Sequence, residues 1–118
     1  MGHGYLAVLG YGILVDLQSL IEVFPELFHD DDDGLDHDAV EDFATDHRIG
    51  IYYERQHDDS DEPVFITSRN APMVDARSGD HEVITKTHLA IDESVKNFAS
   101  NHFPEKKLQL YLYSYQDA

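Results

Sequence analysis

The stretch that most constrains the fold is residues 5–15, which are apolar or glycine throughout. Side chains alternate between the two faces of a strand, so a strand that is apolar on both faces needs cover on both sides. The stretch is also far shorter than the roughly 20 apolar residues of a membrane-spanning helix. We therefore predict that residues 5–15 form the first and central strand of a sheet.

Aspartates mark the starts of the predicted helices. Asp16 can cap a helix that Pro25 ends, and Asp36 or Asp38 can cap a second one. Asp92 can cap a third helix near the end of the chain. Strand-forming residues bounded by turn residues predict the other elements: strands at 49–54, 63–67, 82–86 and 108–115, and a long loop at 70–80.

This order of elements predicts one domain, residues 1–118, of the α+β class. We expect a two-layer sandwich with an about five-stranded, mostly antiparallel sheet and two to three helices on one face. The first and last strands are expected at its centre, because both are apolar on both faces. In the last strand Tyr111, Tyr113 and Tyr115 form a row, which we expect to pack beneath a helix; a protein-binding face is the alternative.

The charge of the chain is strongly negative and unevenly distributed. Twenty-four acidic against eight basic residues give a net charge of -16. Residues 29–62 contain fourteen of the acids and only two bases, Arg48 and Arg55, and so carry -12 of that charge. Such a surface disfavours direct binding to DNA, RNA and anionic membranes. The partner that we expect is therefore a basic protein.

This acidity suggests a non-enzymatic interaction protein that presents carboxylates in place of phosphates. Its specific form would be a nucleic-acid-mimicking inhibitor, similar in composition to inhibitors that phages encode, acting on a basic host protein. Acids on a helix and on an adjoining turn can form a rigid charged face. The predicted partner-binding residues are Asp36, Asp38, Glu41, Asp42, Asp46, Asp58, Asp59, Asp61 and Glu62.

Two motifs resemble cofactor or metal sites but lack a required residue. Around Gly34 at the sixth position of a calcium loop, the first and twelfth positions would be His29 and Val40, so the essential ligands are missing. We expect residues 30–33 to be a solvated acidic loop with at most weak divalent-cation binding. Gly10 and Gly12 lack the third glycine of a dinucleotide fingerprint, and we interpret them as a bulge or a close backbone contact.

No cofactor or metal is predicted. Cysteine is absent, and the histidines lack the spacing that places two imidazoles on one helical face. We expect most of the histidines at the surface, with pKa values raised by nearby carboxylates.

A small-molecule-binding domain or a small enzyme, with acidity adapted for solubility or high salt, remains the alternative function. For the enzyme, the candidate region is residues 70–88 with the adjoining Arg69. We expect a cytoplasmic location, because the sequence shows neither disulfides nor a signal peptide. The polar residues of the candidate enzyme region are Arg69, Asp75, Arg77, Asp80 and His81.

Overall fold

The computed structural model describes residues 4–29, 34–53, 63–75 and 91–117. These residues form an α+β fold in which every strand pair is antiparallel, so the predicted class is confirmed. In chain order the elements are β1 Gly4–Asp16, α1 Leu17–Val23, a 3-10 turn Pro25–Leu27, β2 Phe28–His29, β3 Gly34–Leu35, α2 His37–His47, β4 Ile49–Tyr52, β5 Pro63–Ser68, β6 Met73–Asp75, α3 Glu93–His102 and β7 Gln109–Asp117.

Each α-helix begins at an aspartate whose carboxylate accepts a backbone N–H of the first turn. Asp16 accepts from Ser19 at 2.6 Å and Asp92 from Ser94 at 2.8 Å. Asp36, rather than Asp38, caps α2. These bonds satisfy donors that have no partner inside the helix. The three helix starts were therefore correctly predicted from local sequence.

The strand β1 lies at the centre of the sheet, as predicted. β7 pairs with one edge of it, whereas β5 and β6 follow each other along the other edge, and β4 pairs with β5. The chain advances seven positions from Ile66 to Met73 but only five from Val8 to Ile13, so β5 and β6 are one strand interrupted by a bulge. In the described part of the chain the sheet is accordingly four strands wide, against the about five predicted.

The predicted loop at 70–80 contains β6, because residues 73–75 pair with Leu6, Ala7 and Val8 of β1. Among the described strands β7 has only β1 as a neighbour, and the predicted central position of the last strand stays a prediction. Local sequence favours a strand but does not specify its neighbours. The strand predicted at 82–86 lies outside the described residues.

Two glycines allow β1 to bend. A Cβ atom on Gly12 would overlap the backbone carbonyl of Ile66, and one on Gly10 would lie 2.6 Å from the hydroxyl oxygen of Thr67. The predicted close backbone contact is therefore confirmed. Both glycines lie where β1 passes from β6 to β5, opposite the bulge. A side chain at Gly12 would prevent this approach, and one at Gly10 would displace the Thr67 side chain.

The bend closes the sheet over one of its own faces. Tyr113 pairs with Val8, yet its hydroxyl donates a hydrogen bond of 2.9 Å to the carbonyl of Pro63, which pairs with Asp16. Eight residues of straight strand would separate these two places by roughly 27 Å. The hydrogen bond therefore requires the two halves of β1 to face each other.

The two faces of the sheet carry separate cores. The three helices pack over one face, with Leu20, Phe43 and Phe98 among the buried residues. On the other face Phe65 contacts Tyr111 and Tyr113, each at a ring-centroid distance of 5.6 Å. The prediction that the tyrosine row packs beneath a helix is wrong for these two residues, because they pack against Phe65 on the other face of the sheet. The side chain of Tyr115 lies outside the described part.

Candidate functional site

The helix α2 presents acidic side chains on its outer surface. Val40 and Phe43 are buried against the core, which fixes the direction of the helix face. At 100° per residue, the positions most distant from these two are exposed to solvent. Four exposed acids occupy that side of the helix: Asp38, Glu41, Asp42 and Asp46.

Both ends of α2 are held in place. The Asp36 carboxylate accepts from the N–H groups of Asp38 and Ala39, while the Asp36 N–H donates to the carbonyl of Leu27 at 2.8 Å. After the last turn Arg48 adopts the left-handed conformation, with φ of 58°, and its N–H closes the helix. The outer carboxylates are therefore carried by a helix with a fixed position.

The imidazole of His37 ties the start of α2 to the end of β4. Its ring stacks on that of Tyr53, with centroids 5.5 Å apart and planes inclined by 15°. The Nδ1 atom of His37 is hydrogen-bonded to the hydroxyl of Tyr53, which is buried. This contact joins two elements that are separate in the sequence.

A groove of about 780 Å³ lies between α2 and β4. Asp38 and Glu41 line it from the helix, Tyr52 and Tyr53 from the strand end, and Arg69 from the turn after β5. Burial raises the pKa of Tyr52, so its hydroxyl remains protonated at neutral pH. Carboxylates beside aromatic rings suit a cationic side chain, whereas Arg69 suits an anionic group.

The structure brings together some of the predicted site residues. Asp36 serves as a helix cap, while the other four predicted acids of α2 share an exposed face. Arg69 lines the groove, and Asp75 belongs to the strand β6 where a loop was predicted. The remaining predicted positions lie outside the described residues: Asp30 to Asp33, Asp58, Asp59, Asp61, Glu62, Arg77, Asp80 and His81.

Sequence reasoning did not identify His37, Tyr52 and Tyr53 as site residues. They come from the first turn of α2 and the end of β4, and only tertiary packing makes them neighbours. The adjacent tyrosines beside an acidic helix were the only signal. Because aromatic pairs are common in strands, that signal is not specific.

A second group that sequence reasoning missed is a cluster of aromatic rings between α2 and α3. His47 lies 4.3 Å from Phe43, His102 lies 4.8 Å from Phe24, and the two imidazoles are 6.1 Å apart, by ring centroids. Burial, and then the charge of His47, lower the pKa of His102. The expectation that nearby carboxylates raise histidine pKa values is therefore wrong for His102. Each histidine follows a phenylalanine by four residues, which was the available signal.

Among the described residues no group of three or more His, Asp or Glu side chains is arranged to hold a metal ion. No helix in the described part of the chain has the length and apolar character that crossing a membrane requires. Comparison with protein-family models, with curated proteins and with solved structures gives no match to this chain.

Proposed function

We propose that this chain is an acidic interaction protein that binds a basic protein through the outer carboxylates of α2. The observation that carries the proposal is the charge density of that helix. From Asp38 to Asp46 the helix rises roughly 12 Å at 1.5 Å per residue. Its four exposed carboxylates thus provide about one charge per 4 Å, close to the 3.4 Å spacing along one strand of DNA.

The charge spacing of α2 also indicates which part of a nucleic acid the helix resembles. A duplex carries a charge about every 1.7 Å of axis when both strands are counted, which is denser than α2 alone. The helix therefore corresponds to one phosphate backbone rather than to a whole duplex. A partner that binds one strand of DNA through a row of lysines or arginines fits this spacing.

The fixed position of α2 favours binding by such a row. Its buried side packs on the core, its first turn is capped by Asp36, and His37 joins it to Tyr53. A preorganised charged face loses less conformational entropy on binding than a flexible acidic loop does. The adjoining groove adds Asp38, Glu41 and the aromatic ring of Tyr52 as an anchor for one long cationic side chain.

The test is an affinity pull-down at low and at high salt, with mass spectrometry of the eluted proteins. We compare the native chain with a variant in which the four outer acids become amides: Asp38→Asn, Glu41→Gln, Asp42→Asn and Asp46→Asn. The control removes four exposed acids elsewhere and so has the same net charge: Glu22→Gln, Glu26→Gln, Glu93→Gln and Glu105→Gln.

The native chain and the control are expected to retain a basic protein at low salt and to release it at high salt, because salt screens exposed charges. The α2 variant should retain far less. Nucleic acid added in excess should displace the chain from its partner, since both would occupy the same basic surface. Equal retention by the two variants, or recovery of no basic protein at low salt, refutes the proposal.

The volume of the groove favours a second candidate, a small-molecule-binding domain. Sites for small ligands usually measure about 300–1,000 Å³, and this groove has about 780 Å³. Arg69 and Tyr52 would provide a cationic and a hydrogen-bonding contact. A metabolite that raises the melting temperature of the native chain, but not of an Arg69→Ala variant, would support this candidate over protein binding.

A further inference from the structure

We propose that a pocket between β1 and the turn before β7 binds a small organic carboxylate, with a single negative charge on an apolar body. The pocket has a volume of about 410 Å³, within the range of about 300–1,000 Å³ that is usual for sites of small ligands. None of the described residues that line it belongs to the groove beside α2. The lining of this second pocket consists of Ile13, Leu14, Glu105, Lys106, Lys107, Gln109 and Tyr111.

The apolar wall of this pocket is held in place by the core. Leu14 and Tyr111 are half-buried and pack against the cluster around Phe65, whose ring centroid lies 5.6 Å from that of Tyr111. Ile13 is only 1% exposed and belongs to the core on the helix side of the sheet. The wall is therefore formed before a ligand arrives, and the apolar body of a ligand would bury surface against it.

The two lysines of the pocket are carried by a turn that is fixed on both sides. The N–H of Lys106 donates a hydrogen bond of 3.0 Å to the carbonyl of Phe103, which is buried at the end of α3. On the other side of the lysines, Leu108 packs against the same core as Phe103. The backbone of Lys106 and Lys107 therefore has a fixed position beside the apolar wall, which lowers the entropy lost when a ligand binds.

The charges of the pocket favour a ligand with a single negative charge. Its described lining contains two lysines and one glutamate and so carries +1, in a chain of net charge -16. A carboxylate accepts charge-assisted hydrogen bonds from lysine, and the amide of Gln109 can donate another. The rest of the chain repels an anion in proportion to the ligand's own charge. A monoanion is therefore disfavoured much less than a phosphate dianion or a nucleic acid.

The cap of α1 distinguishes the two lysines. The hydrogen bonds from Ser19, and after them the charge of Lys106, lower the pKa of the Asp16 carboxyl. Part of the charge of Lys106 is therefore compensated by Asp16. We expect Lys107 to be the main counter-charge of a bound carboxylate.

Titration of the isotope-labelled full chain with phenylacetate, followed by the NMR shifts of the backbone amides, tests the site. A ligand of this size is expected to bind with a dissociation constant of about 1 mM, and the largest shifts should fall at residues 13–14 and 105–111. Phenylacetamide lacks the charge and acetate lacks the apolar body. Each should bind roughly tenfold more weakly than phenylacetate.

Variants of the turn test the role of each charge. Lys107→Gln should raise the dissociation constant for phenylacetate roughly tenfold, and Lys106→Gln should raise it less. Glu105→Gln removes a like charge and should lower the dissociation constant roughly threefold. Lys96→Gln is the matched control, because it removes the same charge from an exposed lysine of α3 and should bind as the native chain does. Thermal unfolding followed by circular dichroism checks that all four variants fold.

The proposal is overturned if phenylacetate causes no amide shifts at concentrations far above the expected dissociation constant. It is also overturned if phenylacetamide or acetate binds as tightly as phenylacetate, or if Lys107→Gln binds as tightly as Lys96→Gln. Shifts confined to α2 and Arg69 would assign the ligand to the other groove and have the same consequence. The four-amide variant of α2 should bind phenylacetate at least as tightly as the native chain, so failure of this proposal is distinguishable from failure of the proposed function.

Discussion

Replacement of Gly12 by alanine is expected to destabilise the fold strongly, because the obstacle is backbone. The new Cβ would lie 2.0 Å from the carbonyl oxygen of Ile66 and 3.0 Å from Cε1 of Phe65. Real Cβ atoms essentially never approach another heavy atom more closely than 3.0 Å. The strands β1 and β5 must therefore separate by about 1 Å at this point, since neither Ile66 nor Phe65 is exposed and free to move.

The magnitude follows from the hydrogen bonds between those strands. A separation of about 1 Å stretches bonds of about 2.9 Å to about 3.9 Å, beyond the limit of a hydrogen bond. Two such bonds, each worth about 1 kcal/mol and each leaving buried groups unpaired, give a loss of about 4 kcal/mol. The lower entropy of the unfolded alanine chain offsets about 0.5–1 kcal/mol. We expect a net loss of about 3 kcal/mol, a large part of the 5–15 kcal/mol typical of a domain.

Urea unfolding followed by circular dichroism measures this loss. Gly10→Ala is the matched control, since its Cβ would meet the side-chain oxygen of Thr67 at 2.6 Å rather than backbone. Thr67 can rotate at the expense of its hydrogen bond to the carbonyl of Tyr11, so Gly10→Ala should cost only about 1–2 kcal/mol. The reasoning is refuted if Gly12→Ala is no less stable than Gly10→Ala.

Two further substitutions test the ends of the helices. Arg48→Gly should raise the free energy of unfolding by up to about 1 kcal/mol, because glycine adopts the left-handed conformation of residue 48 without the Cβ clash; an unchanged urea midpoint would contradict this. For His102, whose pKa is lowered by burial and by His47, the folded chain binds fewer protons than the unfolded chain. The contribution of the neutral His102 to the free energy of unfolding should therefore be fully present above the ordinary histidine pKa of 6.5 and should decline as the pH falls below that value. A His102→Gln variant should show a smaller decline in urea midpoint over that range, and an identical pH dependence in both proteins would argue against the effect.

Several features of this fold could be predicted because they depend on neighbouring residues alone. The aspartates Asp16 and Asp92 cap their helices as expected, since a cap needs only a carboxylate next to the first turn. β1 is central because both of its faces are apolar. The acids of α2 are exposed because Val40 and Phe43 fix the opposite side of the helix.

The candidate groove could not be predicted in the same way. It requires the first turn of α2, the end of β4 and the turn that carries Arg69 to meet in space. No local pattern specifies such a meeting. The pairing of residues 73–75 with β1 was missed for the same reason, because a short strand takes its partner from the whole fold.

The sequence by itself determined a central strand, three capped helices and an acidic helical face, because these depend on periodicity and on contacts within one turn. Only the tertiary structure decided how the sheet folds over Phe65 and Tyr113 and which side chains line the groove. The glycines of β1 show the difference most clearly. The sequence indicates that something approaches the backbone at Gly10 and Gly12, but only the packed sheet identifies Ile66 and Thr67 as the residues that do so.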